Sequence, residues 1–114
     1  MVEFLEKTLA AKGRSYSDYQ KELGLGCSLK MGFPGTAHLL LAATTATTPL
    51  TTEAFSETIR TLIKRGGDTA SRAIIVGSLL GSQVGAEGLP KEWTEKTTAF
   101  AHAKDLADRL LASL

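Results

Sequence analysis

What this 114-residue sequence lacks removes whole classes of protein. A surplus of charge is missing, because thirteen Lys and Arg stand against twelve Asp and Glu. Binding along a phosphate backbone needs a basic surface, so nucleic acid is not an expected partner. Cysteine is nearly absent. Cys27 stands alone and cannot close an internal disulfide, which points to a reducing intracellular compartment. No run reaches the ~20 mostly apolar residues that a membrane span requires. The least charged stretch, from Met31 to Thr52, is interrupted by Pro34, His38, Pro49 and several threonines, so it reads as a buried helix. The first residues mix acids and lysine from Glu3 onward and lack a secretory signal's apolar centre, so they read as mature sequence. Alternation of strand type and internal repeats are also missing, and the length fits one domain with one core.

What is present is helical periodicity punctuated by glycine. Val2, Leu5, Leu9 and Ala10 predict an amphipathic helix over 2–11, with Gly13 just past its end. A second, short helix is expected from Ser15 or Ser17, where Ser17 and Gln20 have capping-box spacing, as far as Gly24. From Gly24 to Phe33 the reading is an irregular loop holding Cys27, the segment best suited to line a cleft. Pro34 suits the first position of a third helix, apolar nearly all round from Ala37 to Ala43 and ending at Thr47 or Thr48 before Pro49.

Thr51 or Thr52 caps a fourth helix, with Phe55, Ile59, Leu62 and Ile63 in one stripe and Glu53, Glu57, Arg60 and Lys64 facing water. It ends at Gly66 and Gly67, and Asp68 or Thr69 starts the next. Along that fifth helix Ala73, Gly77, Gly81 and Gly85 form a line of small residues. Glycine costs about 1 kcal/mol against alanine in a helix, so the line implies close approach of another helix's backbone. Ile74, Ile75, Val76, Leu79, Leu80 and Val84 cover the remaining sides, which predicts burial on both faces. Gly88-Leu89-Pro90 turns the chain and Trp93 anchors a short segment. Thr97 or Thr98 opens a last helix with Phe100, Ala103, Leu106, Ala107, Leu110 and Leu111 inward. The fold class is all-α.

The corner Gly66-Gly67-Asp68-Thr69-Ala70-Ser71-Arg72 is the candidate site. Helix N-terminal N–H groups favour an anion there, and the Asp68 carboxylate favours a cation. The plainer reading makes Asp68 a helix cap, worth ~1 kcal/mol, and lets Lys64 and Arg65 offset a helix dipole. Arg72 fits neither reading, since the dipole disfavours a cation in a first turn. Arg60, Lys64, Arg65 and Arg72 together are candidates for holding a pyrophosphate. Cys27, His38 and His102 lie on separate segments, with neither zinc spacing nor a ready nucleophile–base pair.

The Gly-Gly-Asp-Thr corner, the small-residue helix with Gly81 and Gly85, the Leu89-Pro90 and Trp93 ending, and Phe33-Pro34 upstream resemble the C-terminal signature of the ADP-ribosylglycohydrolase family. The similarity covers roughly residues 24–111. It implies an all-helical array like the C-terminal part of that fold, with 1–114 a single, partial domain. Family members release ADP-ribose from its attachment with a pair of magnesium or manganese ions. In the family pattern the triplet continues Asp-Thr-Asp-Thr. Asp68 matches the first aspartate, Ala70 replaces the second and Ser71 keeps the hydroxyl. The resemblance thus makes Asp68 and Ser71 the metal-ligand candidates, and Gly66, Gly67, Thr69 and Arg72 the candidates for an ADP-ribose-like ligand. The Ala70-Ser71-Arg72 variant is more similar to the branch that includes lens crystallins. The expectation is a domain that is not a competent hydrolase alone and serves a structural or interaction role. The alternatives are half of a split magnesium-dependent hydrolase completed by another chain, or a structural subunit of a larger assembly. A protein partner is expected in each case.

Overall fold

The computed structural model describes residues 2–46 and 49–114, and among them every regular element is helical. In order these are α1 (Val2–Ala10), α2 (Tyr16–Leu23), α3 (Leu29–Ala46), α4 (Thr52–Arg65), α5 (Thr69–Val84), a 3₁₀ turn (Ala86–Gly88), α6 (Lys91–Lys96) and α7 (Phe100–Ala112). No described helix is long and apolar enough to cross a membrane. The expected end of α3 at Thr47 or Thr48 lies outside the described residues.

Most boundaries follow from local chemistry. The Thr51 side chain accepts the Ala54 N–H at the start of α4, and Gly66 closes that helix at φ 78°. For α2 the cap is Ser15, whose hydroxyl oxygen accepts the Asp18 N–H at 3.1 Å. The Ser17–Gln20 capping box does not form, because Gln20 is wholly buried and used elsewhere. Its amide nitrogen donates to the carbonyls of Gly24 at 2.5 Å and Met31 at 2.9 Å.

The turn that second bond reaches carries a correction at α3. The helix begins at Leu29, not at Pro34, so the irregular segment is shorter than expected and Pro34 lies inside the helix. Proline removes one ladder bond and its ring crowds the preceding turn, a defect of roughly 3 kcal/mol in an ordinary helix interior. The carbonyl left without its ladder donor is that of Lys30, an exposed residue open to water, and Gln20 braces the same turn through Met31 O. Gly35 makes room for it, since a β-carbon there would sit 2.8 Å from Gln20 Cδ and closer still to its amide oxygen.

The core lies where α3, α4 and α5 meet. Leu39 and Ala43 from α3, Phe55, Ile59 and Leu62 from α4, and Val76 and Leu80 from α5 are buried with Tyr16 and Leu50. Helices α1 and α2 pack on α3. The small-residue line of α5 faces α4, but without backbone contact. A β-carbon at Gly77 would meet only Ile59 Cδ1, and one at Gly81 only Phe55 Cε2, each at 4.0 Å.

Three burial expectations are overturned. Leu41 and Ala42 of α3 face solvent, so α3 is not enclosed all round. The outer face of α5 is open, with Ile74 70 % and Leu79 51 % exposed, and Ile63 of α4 joins it at 54 %. Helix α7 starts at Phe100 without a side-chain cap rather than at Thr97 or Thr98. Every residue from 101 to 114 is exposed, including Leu106, Leu110 and Leu111. These sequences are amphipathic, but the surfaces their apolar sides would cover are not in this body. Surface area reports the same thing. The chain exposes 7448 Å², whereas a folded monomer of 12.1 kDa is expected to expose about 6,000 Å². The radius of gyration is 15.1 Å, against about 13 Å for a compact chain of this length.

The candidate functional site

The glycine corner forms as expected and is fixed by backbone conformation. Gly66 and Gly67 take φ 78° and 73°, in the left-handed region where a β-carbon is unfavourable. Gly66 closes α4 by donating its N–H to Ile63 O at 3.0 Å. Asp68 then caps α5, its carboxylate accepting the Ser71 N–H at 3.3 Å. The loop between α2 and α3 docks onto this turn, since the Asp68 N–H donates to Leu25 O at 3.1 Å. Gly67 is pressed against the same residue, and a β-carbon there would sit 2.6 Å from Leu25 Cβ.

Arg72 has the most informative position. It is 2 % exposed, and its Nη2 donates to the carbonyl of Gly66 across the corner. The cation that no dipole argument explained therefore ties the end of α4 to the first turn of α5. Among the described residues its Nε and Nη1 find no hydrogen-bond partner, and neither does the buried hydroxyl of Tyr16. Burial pushes the Tyr16 phenol above its usual range, against the opposing pull of the nearby Arg72 and Arg65 cations.

The other cations do not converge on the corner. Arg65 donates to Ser17 O at 3.1 Å, Arg60 stacks 5.6 Å from the Trp93 ring centre, and Lys64 is exposed. Of the candidate residues, Gly66, Asp68 and Thr69 are half-buried, Gly67 and Ser71 are exposed, and Arg72 is enclosed. Asp68 and Ser71 are thus brought together by one cap bond. Among the described residues no group of three or more His, Cys, Asp and Glu side chains is placed to hold a metal ion. The side-chain oxygen donors this chain offers at the corner are one carboxylate, already accepting an N–H, and the hydroxyls of Thr69 and Ser71. That is a poor start toward the octahedral oxygen shell of magnesium.

Away from the corner lies a cleft of about 430 Å³ between α1 and α3, lined by Leu9, Lys12, His38, Leu41 and Ala42 among others. His38 is buried there, its Nε2 3.0 Å from Ala11 O at the end of α1 and its ring centre 4.9 Å from that of Tyr19. Cys27 is exposed on the loop. Nothing in the spacing of α1 and α3 announced this cleft, because it depends on how the two helices cross.

The family model described as ADP-ribosylglycohydrolase matches residues 4–114. Crystallin J1A of Tripedalia cystophora is 26% identical over 105 residues, covering 92% of this chain and 30% of that protein. The chain therefore spans less than a third of the length of this curated relative. No solved structure matches. With the corner, the helix order around it and a match reaching from Phe4 to the last residue, the chain belongs to the ADP-ribosylglycohydrolase family.

Proposed function

We propose that this chain is a partial ADP-ribosylglycohydrolase-like domain that works as a structural or interaction protein and does not hydrolyse ADP-ribose linkages alone. The observation that carries this is Arg72, whose guanidinium bonds Gly66 O inside the corner, so that the one charged side chain of α5 serves the helix junction. A short donor set acts in the same direction. The crystallin relative agrees with a structural use, and the uncovered apolar faces of α5 and α7 agree with association.

Calorimetric titration of the purified chain with magnesium and then with ADP-ribose tests the reading. No heat is expected from either ligand, and saturable binding of both would overturn it. A second reading is favoured by the solvent-facing placement of Ser71 and partial exposure of Asp68. In it, another chain supplies the missing acids and closes a split magnesium-dependent hydrolase around these two residues. Saturable ADP-ribose binding that appears only when a co-purified partner is present would favour this alternative.

A further inference from the structure

We propose that residues 24–28, the loop between α2 and α3, form a strap that lifts from the glycine corner as one unit, and that the Gln20 side chain holds it down. The strap is independent of the non-hydrolytic reading above, because it concerns what keeps the corner closed and not what the corner binds.

The loop has little of its own to hold it. Among the described residues, 25–27 take part in a single backbone hydrogen bond, from the Asp68 N–H to Leu25 O at 3.1 Å. Leu25 is half-buried, and Gly26, Cys27 and Ser28 are exposed. A segment with few backbone bonds and little buried apolar surface lies at the low-stability end of a fold, where opening does not require global unfolding.

What closes the loop comes from α2 and from the first turn of α3. Gln20 is wholly buried, and its amide nitrogen donates to Gly24 O at 2.5 Å and to Met31 O at 2.9 Å. One side chain thus ties both ends of the loop. The Met31 thioether lies against the glycines between them, since β-carbons at Gly24 and Gly26 would stand 3.2 Å and 2.8 Å from its Sδ. In the middle, Leu25 bears on the corner, where its carbonyl takes the Asp68 N–H and its Cβ lies 2.6 Å from the place of a β-carbon at Gly67. Both bonds of the Gln20 amide go to loop ends and neither to the corner. Gln20 therefore acts on Asp68 through Leu25, as a positioning residue. When the strap lifts, the Asp68 N–H and Gly67 are released, while the bonds inside the corner, Ser71 N–H to the Asp68 carboxylate and Arg72 to Gly66 O, stay in place.

Native-state hydrogen exchange of the full chain, read by NMR over a series of urea concentrations below the unfolding transition, tests the strap. The Asp68 backbone amide and the Gln20 side-chain amide are expected to share one opening equilibrium with a shallow urea dependence, because little surface is exposed. Backbone amides of Leu62, Val76 and Leu80, residues with no exposure, are expected to exchange only through rarer and larger openings. Gln20→Met keeps an unbranched side chain and removes both donors. It is expected to speed exchange at Asp68 at least about tenfold more than at the three core amides, as the loss of two ordinary hydrogen bonds implies. Exchange of Asp68 together with the core, or with a urea dependence unlike that of the Gln20 side chain, overturns the strap. So does a Gln20→Met chain in which Asp68 and the core accelerate equally, which is global destabilisation. If that variant does not fold, the wild-type comparison alone decides. Magnesium titration of the corner is unaffected by either result, so the strap and the non-hydrolytic reading fail separately.

Discussion

Replacing Gly67 by alanine is expected to damage the protein far more than the same change at its neighbour Gly66. Both residues have positive φ, 73° and 78°, so each alanine is charged about 1–2 kcal/mol for the left-handed conformation. At Gly66 the account ends there, because no atom lies within 4 Å of the new β-carbon. At Gly67 the methyl group would run into the backbone of Leu25, 2.6 Å from its β-carbon. Backbone cannot swing aside as a side-chain tip can. The loop must withdraw, which breaks the Asp68 N–H to Leu25 O bond and leaves its groups to find water, a further ~1–3 kcal/mol. Gly67→Ala therefore costs about 2–5 kcal/mol and Gly66→Ala about 1–2 kcal/mol. In a chain of this size that separates the two melting temperatures by roughly 5–10 °C. Thermal unfolding followed by circular dichroism at 222 nm reads the difference. Equal losses at the two positions would refute the claim that the corner is packed against the α2–α3 loop.

The remaining predictions concern other parts of the fold. Gly77→Ala and Gly81→Ala are each expected to stabilise by up to about 1 kcal/mol, since the new methyl groups meet Ile59 and Phe55 at ordinary contact distance; denaturant midpoints that fall would show that α4 and α5 are closer than described. Gly35→Ala is expected to cost about 2–4 kcal/mol by expelling the Gln20 amide from its two bonds, measured by urea unfolding, and a neutral effect would contradict the close packing of Gln20 on Gly35. Tyr16 makes stability depend on alkaline pH. Its phenol is raised by burial, so the folded state holds this proton more tightly than the unfolded chain. That contribution is complete below about pH 10, the unfolded value, and declines as pH rises toward the higher folded value. Tyr16→Phe is expected to flatten this decline in urea titrations from neutral to alkaline pH, and an unchanged profile would place the titration elsewhere.

Local signals in the sequence were sufficient for the fold class, the order of helices and the corner. Gly66, Gly67 and Asp68 stop one helix and start the next by backbone conformation and side-chain reach, both readable over a few residues. Pro34 reads as a helix start because its preference for a first turn is local, whereas the extra turn before it, from Leu29, is braced by Gln20 of another helix. Ile74, Ile75 and Leu79 read as core residues because apolar periodicity reports which side of a helix seeks cover and not whether cover is present in the same chain. Leu106, Leu110 and Leu111 failed for the same reason. Arg72 stands out in the sequence by its clash with the helix dipole, but its partner, the carbonyl of Gly66, is set by the closure of the corner. The cleft beside His38 had no linear signature, because it is made by the crossing of α1 and α3.

Asp68 caps α5, and we propose that it serves only as that cap and not as the seat of a metal ion. Thermal unfolding of the wild-type chain and of Asp68→Ala, each with and without millimolar magnesium, tests it most directly. The account predicts that the substitution lowers stability by ~1 kcal/mol, the usual worth of an N-cap, and that magnesium shifts neither protein. A magnesium-dependent rise in the wild-type melting temperature that disappears in Asp68→Ala would contradict it, because only a ligand bound to the folded state through that carboxylate produces such a shift.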